Sequence, residues 1–378
     1  MSEGRSGPGS AVRRIIQLLP YSFESIGGIE THVKALTQEL IMGFGVPVSV
    51  VYRGISGKWT MIPGESVSEA HDSQCQSSAF TATSIERGDL LHIHGLARWP
   101  LSQLIRKIPG DVPIVFSPHG SFWSELVGAD GVKSMFRAAC DPFVAPSLIK
   151  RCRSLLVATS AEKSVMLGLM RKWRVDVPVS VEPLPVDLDF GDTTVQSSGS
   201  RPTRLVALGR QDKIKGFECL ADAVATYPDL PPCDIVGPAG NATRVLRKLA
   251  ERAPSGRIRL LPPITTGEAK VKLLAGAQAV VVPSRFESFS LVANEALALH
   301  VPVVISDKVA MVVSAPDVRV FEYGSVRSLV GAIRSLPARD REMGMSYSHS
   351  SIRTYDDYAR SLVRLYLEVS ASDNSYGL

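Results

Sequence analysis

Short aliphatic runs alternate with stretches of helical periodicity along most of the chain. VRRIIQLLP (12–20) reads as a strand, and the segment after it sets Ile29, Val33, Leu36, Leu40 and Ile41 at helical spacing. VPVSVVY (46–52), LLHIH (90–94), VPIVFS (112–117), SLLVATS (154–160) and VSVEPL (179–184) continue the strand series, with helices over 98–107, 145–152 and 161–173. This alternation predicts a parallel sheet covered by helices on both faces. The polar stretch DFGDTTVQSSGSRPTR (189–204) then interrupts it as a linker. Beyond it the pattern restarts, with strands at 204–209, 233–237, 258–262, 279–284 and 301–306. Helices fit 216–226, 242–253, 267–276, 290–300 and 325–336. A chain of 378 residues is too long for one ordinary core. The expected fold class is therefore α/β, with two doubly wound, Rossmann-like domains over 11–190 and 201–350. A last helix, about 353–371, carries Tyr355, Tyr358, Leu362, Leu365 and Tyr366 on one stripe and is expected to cross back onto the first domain.

Composition removes several classes of function. The chain has 42 Lys+Arg against 37 Asp+Glu, a net charge of +5, with no long basic run, which argues against a nucleic-acid partner. No run approaches 18 apolar residues, so no transmembrane segment is expected. The first residues, MSEGRSGPGSAVRR, lack the apolar stretch of a secretory signal. Five scattered cysteines form no C-x-x-C pair, which fits a reducing, cytoplasmic setting.

In open α/β sheets, ligands bind beyond the carboxyl ends of the strands. After the first strand, Gly27-Gly28 opens a helix whose N–H groups suit an anion, although an ordinary tight turn fits as well. After the strand at 204–209, GRQDKIKG brackets Arg210 and Lys215 between Gly209 and Gly216. A planar guanidinium and a point-charge ammonium at a strand end suit a diphosphate, and a solvated basic turn is the alternative. After the strand at 279–284 comes SRFESFSLVANEALA, with Glu287 in the loop, Ser290 as helix N-cap and Glu295 inside the helix. Along a continuous helix eight residues turn about 800°, so the two carboxylates point about 80° apart and need not meet. The N–H groups of Phe289, Ser290 and Leu291 would form an anion site instead, with a charged capping loop and an exposed helical glutamate as the alternative. In the first domain, His92 and His94 share a strand face and His119 ends a strand. No spacing completes a metal site around them.

Together these motifs resemble the retaining glycosyltransferases of the GT-B fold, family 4 (glycosyl transferases group 1). The carriers are E-x7-E at Glu287–Glu295, G-R-x4-K-G at 209–216, G-G-x-E-x-H-V at 27–33, D-x-x-H-x-H at 89–94 and H-G at 119–120. The resemblance implies two domains with a cleft between them and a nucleotide-diphosphate sugar, a UDP-sugar by preference, as donor substrate. Arg210 and Lys215 would hold the diphosphate, which Gly27 and Gly28 would meet from the opposite domain. Glu295 would bond the ribose, Glu287 the donor sugar, and the backbone at 288–291 (Ser288, Phe289, Ser290, Leu291) sugar and phosphate. His119 would sit near the transferred sugar, with Glu30, His94 and Trp123 as further acceptor-side residues. His119, Glu287, Arg210 and Lys215 would form the catalytic set, with no metal and no cofactor required. Two departures stand out. Ser288 and Ser290 replace the family's frequent glycines, and Pro183–Asp187 replaces its N-G-V-D.

Acidic Glu24, Glu30, Glu125 and Asp130 point to a small hydroxyl acceptor bearing an amine, such as an aminocyclitol of an antibiotic pathway. The alternatives are a membrane-surface transferase using the basic segments 101–108 and 147–156 in peripheral contact, a same-fold enzyme making a non-glycosidic bond, and an inactive nucleotide-sugar binder.

Overall fold

The computed structural model describes residues 12–20, 28–54, 56–69, 77–96, 98–120, 122, 143–186, 203–264, 266–310, 316–336 and 353–371. The linker at 189–204 lies outside them except for its last two residues, and Cys75, Cys140, Glu24, Glu125 and Asp130 lie outside them entirely. The described residues fall into two compact units, one formed by 12–185 with 353–371, the other by 186–336.

The first unit is an eight-stranded sheet in the order β4-β3-β2-β1-β5-β6-β7-β8. Its parallel strands are β1 (Arg14–Leu19), β2 (Val48–Arg53), β5 (Asp89–His94), β6 (Ile114–Ser117), β7 (Ser154–Val157) and β8 (Val179–Val181). Neighbouring residues on a strand face opposite ways, and here both faces are buried. Ile16, Leu18, Ile114 and Phe116 enter one apolar cluster, while Ile15, Val115 and Leu156 enter another. This is why these strands are continuous aliphatic runs in the sequence.

The sheet is not wholly parallel. β3 (Trp59–Pro63) and β4 (Ser78–Ala79) add an antiparallel edge to β2, which the alternation did not predict. Both are short, poorly buried and polar or proline-bearing, so they carry little of the hydrophobic signal.

The second cluster of the first unit is closed by the last of the described helices. α1 (Gly28–Met42), α2 (Arg98–Ile105) and α3 (Ser160–Trp173) belong to the first unit, and α4 (Phe217–Thr226), α5 (Thr243–Arg252), α6 (Gly267–Ala275), α7 (Leu291–Ala298) and α8 (Val326–Arg334) to the second. The helix α9 (Tyr355–Ala371) returns to the first and buries Tyr358, Ala359, Leu362 and Tyr366 against Leu36 and Leu40 of α1 and Ile15 of β1. A buried side chain the size of Leu362 contributes about 1.5–3 kcal/mol. Arg353, at its start, is tied to Glu182 at 2.5 Å.

The second unit is a six-stranded parallel sheet in the order β11-β10-β9-β12-β13-β14, built from β9 (Leu205–Leu208), β10 (Cys233–Val236), β11 (Ile258–Leu261), β12 (Ala279–Val282), β13 (Val303–Ser306) and β14 (Val318–Phe321). Leu205 and Ala207 face one cluster and Val206 the other. The sequence reading missed β14, an edge strand whose Val320 is 60% exposed.

Candidate functional site

A binding crevice in such a sheet opens where adjacent strands send their connections in opposite directions. In the second sheet that point lies between β9 and β12, which pair although two strands separate them in the chain. The loops leaving these two strands carry the 209–216 and 283–290 motifs. They meet through a charge pair. Lys215 Nζ lies 2.6 Å from Glu287 Oε1, and Ser284 Oγ donates to the same oxygen at 2.8 Å.

The backbone beneath this pair is interlocked. Gly216 has φ 64°, and a Cβ there would lie 2.0 Å from the Pro283 carbonyl oxygen. A Cβ on Gly237, at the end of β10, would lie 2.1 Å from the Gly209 carbonyl oxygen. Only residues without side chains allow these strand ends to touch. Glu287 is fixed from the other side as well. Its N–H donates to Lys308 O at 3.3 Å, and its carbonyl accepts from the Ala310 N–H at 2.8 Å.

Arg210 stands apart from that pair, with its side chain 58% exposed and its Nε 3.5 Å from Asp212 Oδ2. Ser290 is the N-cap of α7, where its Oγ accepts from the Ala293 N–H at 3.4 Å. Ser290 is buried, and Ser288, Phe289 and Leu291 beside it are half-buried. Glu295 is buried within α7 and ion-paired with Lys270 of α6. The two glutamates thus hold separate lysines and do not form a paired-acid centre. Lys270 was not singled out from the sequence, because GEAKVKLLA offers only a lysine on an exposed helix with no motif to mark it.

The corresponding edge of the first unit is built from neutral rings. His92 and His94 project from β5, His119 from the turn after β6, and His32 from α1. His92 lies 2.6 Å from the Tyr366 hydroxyl and 2.8 Å from Ser117 Oγ. His94 Nε2 bonds Gln17 Oε1, which can only accept. With the Gln17 amide in that orientation the proton sits on His94 Nε2, and Nδ1 then accepts from His119 Nε2 at 3.0 Å. His32 Nδ1 lies 3.2 Å from the Tyr355 hydroxyl, so α9 touches the cluster twice.

Burial, reinforced by mutual repulsion, holds the histidines uncharged. The pKa of His92 falls to about 3 and that of His119, half-buried and outermost, to about 4; those of His32 and His94 lie well below 6.5. Among the described residues, the buried His32 Nε2 has no hydrogen-bond partner.

His119 has φ 48° and Gly120 φ 71°, so the turn after β6 is left-handed at two successive residues. A non-glycine residue there is strained and needs support. Buried Glu162 supplies it from the first turn of α3, accepting from the Gly120 N–H at 2.7 Å and the Ala158 N–H at 3.0 Å. Burial raises its pKa while those two N–H groups oppose the rise. Glu162 was also missed, although T-S-A-E at 159–162 has the capping-box pattern. Thr159 Oγ1 does accept from the Glu162 N–H at 3.2 Å, but the carboxylate reaches away to Gly120.

Of the remaining candidates, Gly28 is the exposed first residue of α1 and Glu30 is buried in its first turn. Gly27 and Trp123 lie outside the described residues. Asp89 of the 89–94 motif sits at the opposite, amino end of β5, where Arg14 pairs with it at 2.5 Å, so its work there is structural. Among the described residues no helix is long and apolar enough to cross a membrane, and no group of three or more His, Cys, Asp or Glu is placed to hold a metal ion.

Comparison with known proteins places this architecture. Residues 202–338 match the family model described as Glycosyl transferases group 1. A D-inositol 3-phosphate glycosyltransferase of Mycobacterium sp. (strain KMS) is 30% identical over 260 residues, 62% of this chain and 57% of that protein. The chain thus spans little more than half the length of that curated relative. Sucrose-phosphate synthase from Thermosynechococcus elongatus superposes with a TM-score of 0.64 at 19% identity, covering 95% of this chain and 97% of the other. Anabaena HepE, solved in complex with UDP and glucose, gives 0.57 at 14% identity, covering 94% and 96%.

Proposed function

We propose that this chain of the GT-B fold, whose residues 202–338 match the model described as Glycosyl transferases group 1, is a retaining glycosyltransferase that moves a sugar from a nucleotide-diphosphate sugar to a hydroxyl acceptor. The observation that carries this reading is the convergence of Lys215 and Glu287 at the switch point of the second sheet. Lys215, with Arg210 close by in the same loop, supplies cationic charge for a diphosphate. Glu287 supplies an acceptor for sugar hydroxyls, and Glu295 on α7 one for the ribose. The start of α7 adds N–H groups that favour an anion.

In this reading the bond from the sugar's anomeric carbon to the diphosphate oxygen breaks as the acceptor oxygen attacks from the same face. The acceptor's proton passes to the departing diphosphate, so no separate base is required. Lys215 and Arg210 stabilise the charge that develops on the leaving group, which is where such sites gain most of their rate. Two cations in this position make a metal ion unnecessary.

On the first unit, neutral histidines suit hydroxyl recognition better than charge recognition. His119 is the candidate beside the transferred sugar, with Glu30, His94 and Trp123 on the acceptor side. A small polyhydroxylated ring is the acceptor class we favour, since the curated relatives are named for inositol 3-phosphate. The aminocyclitol expectation is a variant of that class.

Thermal unfolding with UDP-, GDP-, ADP- and dTDP-sugars tests the donor, because a ligand of the native state raises the midpoint. UDP-sugars stand first, as HepE was solved with UDP. A labelled-donor assay then tests transfer. Nucleotide released without a new glycoside would overturn the reading.

A further inference from the structure

The pair that joins the two motifs also poses a problem for ligand binding. Lys215 cannot serve a diphosphate fully while its ammonium lies 2.6 Å from Glu287. Glu287 cannot follow it, because its backbone is bonded to residues 308 and 310 and its side chain is 12% exposed. The lysine, on a flexible four-carbon stem and 32% exposed, is the partner that moves. Its departure leaves a mostly buried carboxylate supported by Ser284 Oγ without its cation, and such a group is costly until something donates to it. A donor sugar brings hydroxyl donors to that place, whereas a bare nucleoside diphosphate does not.

We propose that Glu287 is an internal competitor of the donor diphosphate for Lys215, so that the site prefers a sugar-bearing nucleotide over the nucleoside diphosphate left after transfer. The proposal rests on the donor assignment above. It gives Glu287 two opposite effects. Toward the sugar nucleotide the carboxylate is a ligand, and toward the product it is a rival. Product release is then assisted by reformation of the pair.

The experiment is calorimetric titration of the full chain, without acceptor, with UDP and UDP-glucose, GDP and GDP-mannose, and ADP and ADP-glucose. For the nucleotide that binds, Glu287→Gln is expected to tighten the bare diphosphate about fivefold, as removal of a competing part-exposed ion pair allows. The same substitution is expected to weaken the sugar nucleotide. Glu287→Ala should behave alike, which guards against a folding defect in either variant, and thermal unfolding checks both. In a Lys215→Met background, adding Glu287→Gln should no longer tighten the diphosphate. If Glu287→Gln weakens both ligands, or leaves the bare diphosphate unchanged, competition is overturned while the donor assignment stands. If the wild-type chain binds none of the six and no dTDP-sugar raises its unfolding midpoint, the donor assignment falls and the proposal falls with it.

Discussion

The two units present the same kind of edge, the carboxyl ends of a parallel sheet, but they equip it with opposite chemistry. The first gathers His32, His92, His94 and His119, kept neutral by burial. The second gathers Lys215–Glu287 and Lys270–Glu295, each a cation against a carboxylate. The difference shows how one architecture can present two chemically unlike edges. A sheet edge offers position, and the side chains of two or three loops decide whether that position suits hydroxyls or phosphates.

The largest expected effect sets the two edges apart by pH. A histidine whose folded pKa lies below its unfolded value of about 6.5 contributes stability in full above that value and loses it as pH falls toward the folded value. Each histidine kept neutral then costs about 1.4 kcal/mol per pH unit below 6.5. Glu162, with its raised pKa, has the opposite sign, since its contribution is lost as pH rises, but it is one group against four. Between pH 7.5 and 5.5 the first unit should therefore lose several kcal/mol. Hydrogen exchange in peptides covering 89–94 and 279–282, corrected for intrinsic rates, checks this. Equal loss of protection in both would erase the contrast.

Next in size is Lys215→Ala, expected to lower turnover about 100- to 1000-fold, the range for loss of a group that stabilises developing charge, with the fold intact by circular dichroism. Arg210→Ala should cost less, as its side chain is more exposed and only loosely paired. Near wild-type turnover in Lys215→Ala would leave the charged edge without a catalytic role.

Glu162→Ala removes the acceptor for two buried N–H groups, and about 2–3 kcal/mol of stability should go with it in chemical denaturation. If Glu162 holds the His119 turn, Glu162→Gln should restore only part of this, since its amide offers one acceptor oxygen for two donors. Full rescue would show that the bond to Gly120 matters little. The smallest effect belongs to Lys270→Met, where Glu295 loses its cation. Affinity for a nucleoside diphosphate should fall about tenfold, with a smaller change for the 2′,3′-dideoxy analogue. Equal losses for both would detach Lys270 from ribose recognition.

How much of this was legible in the sequence follows from what kind of signal each part leaves. The buried strands β1, β5, β6, β9, β12 and β13 were readable because burial on both faces forces an aliphatic run. β3, β4 and β14 were not, since an edge strand need not be apolar throughout. Ser290 was readable as a cap because capping is local. The contacts of Lys270, Glu162 and Gln17, and the bond from Tyr366 to His92, were not, because the partners lie 25, 42, 77 and 274 positions away. The pairing of Lys215 with Glu287 likewise required the adjacency of β9 and β12, which is a fact of topology.

The return of α9 sets the order of synthesis against the order of assembly. Leu36, Leu40 and Ile15 wait for Tyr358, Leu362 and Tyr366, which leave the ribosome only after the whole second unit. At about 5–20 residues per second the wait is of the order of ten seconds or more. During it the earlier unit carries an open apolar face, whereas the described strands and helices of the later one all precede α9 in the chain. The first unit to be made is thus the last to be finished. Its histidines, two of them touched by α9, should reach their final hydrogen bonds only once α9 has left the ribosome, and proteolysis of ribosome-bound chains would show protection at 203–336 preceding protection at 28–54.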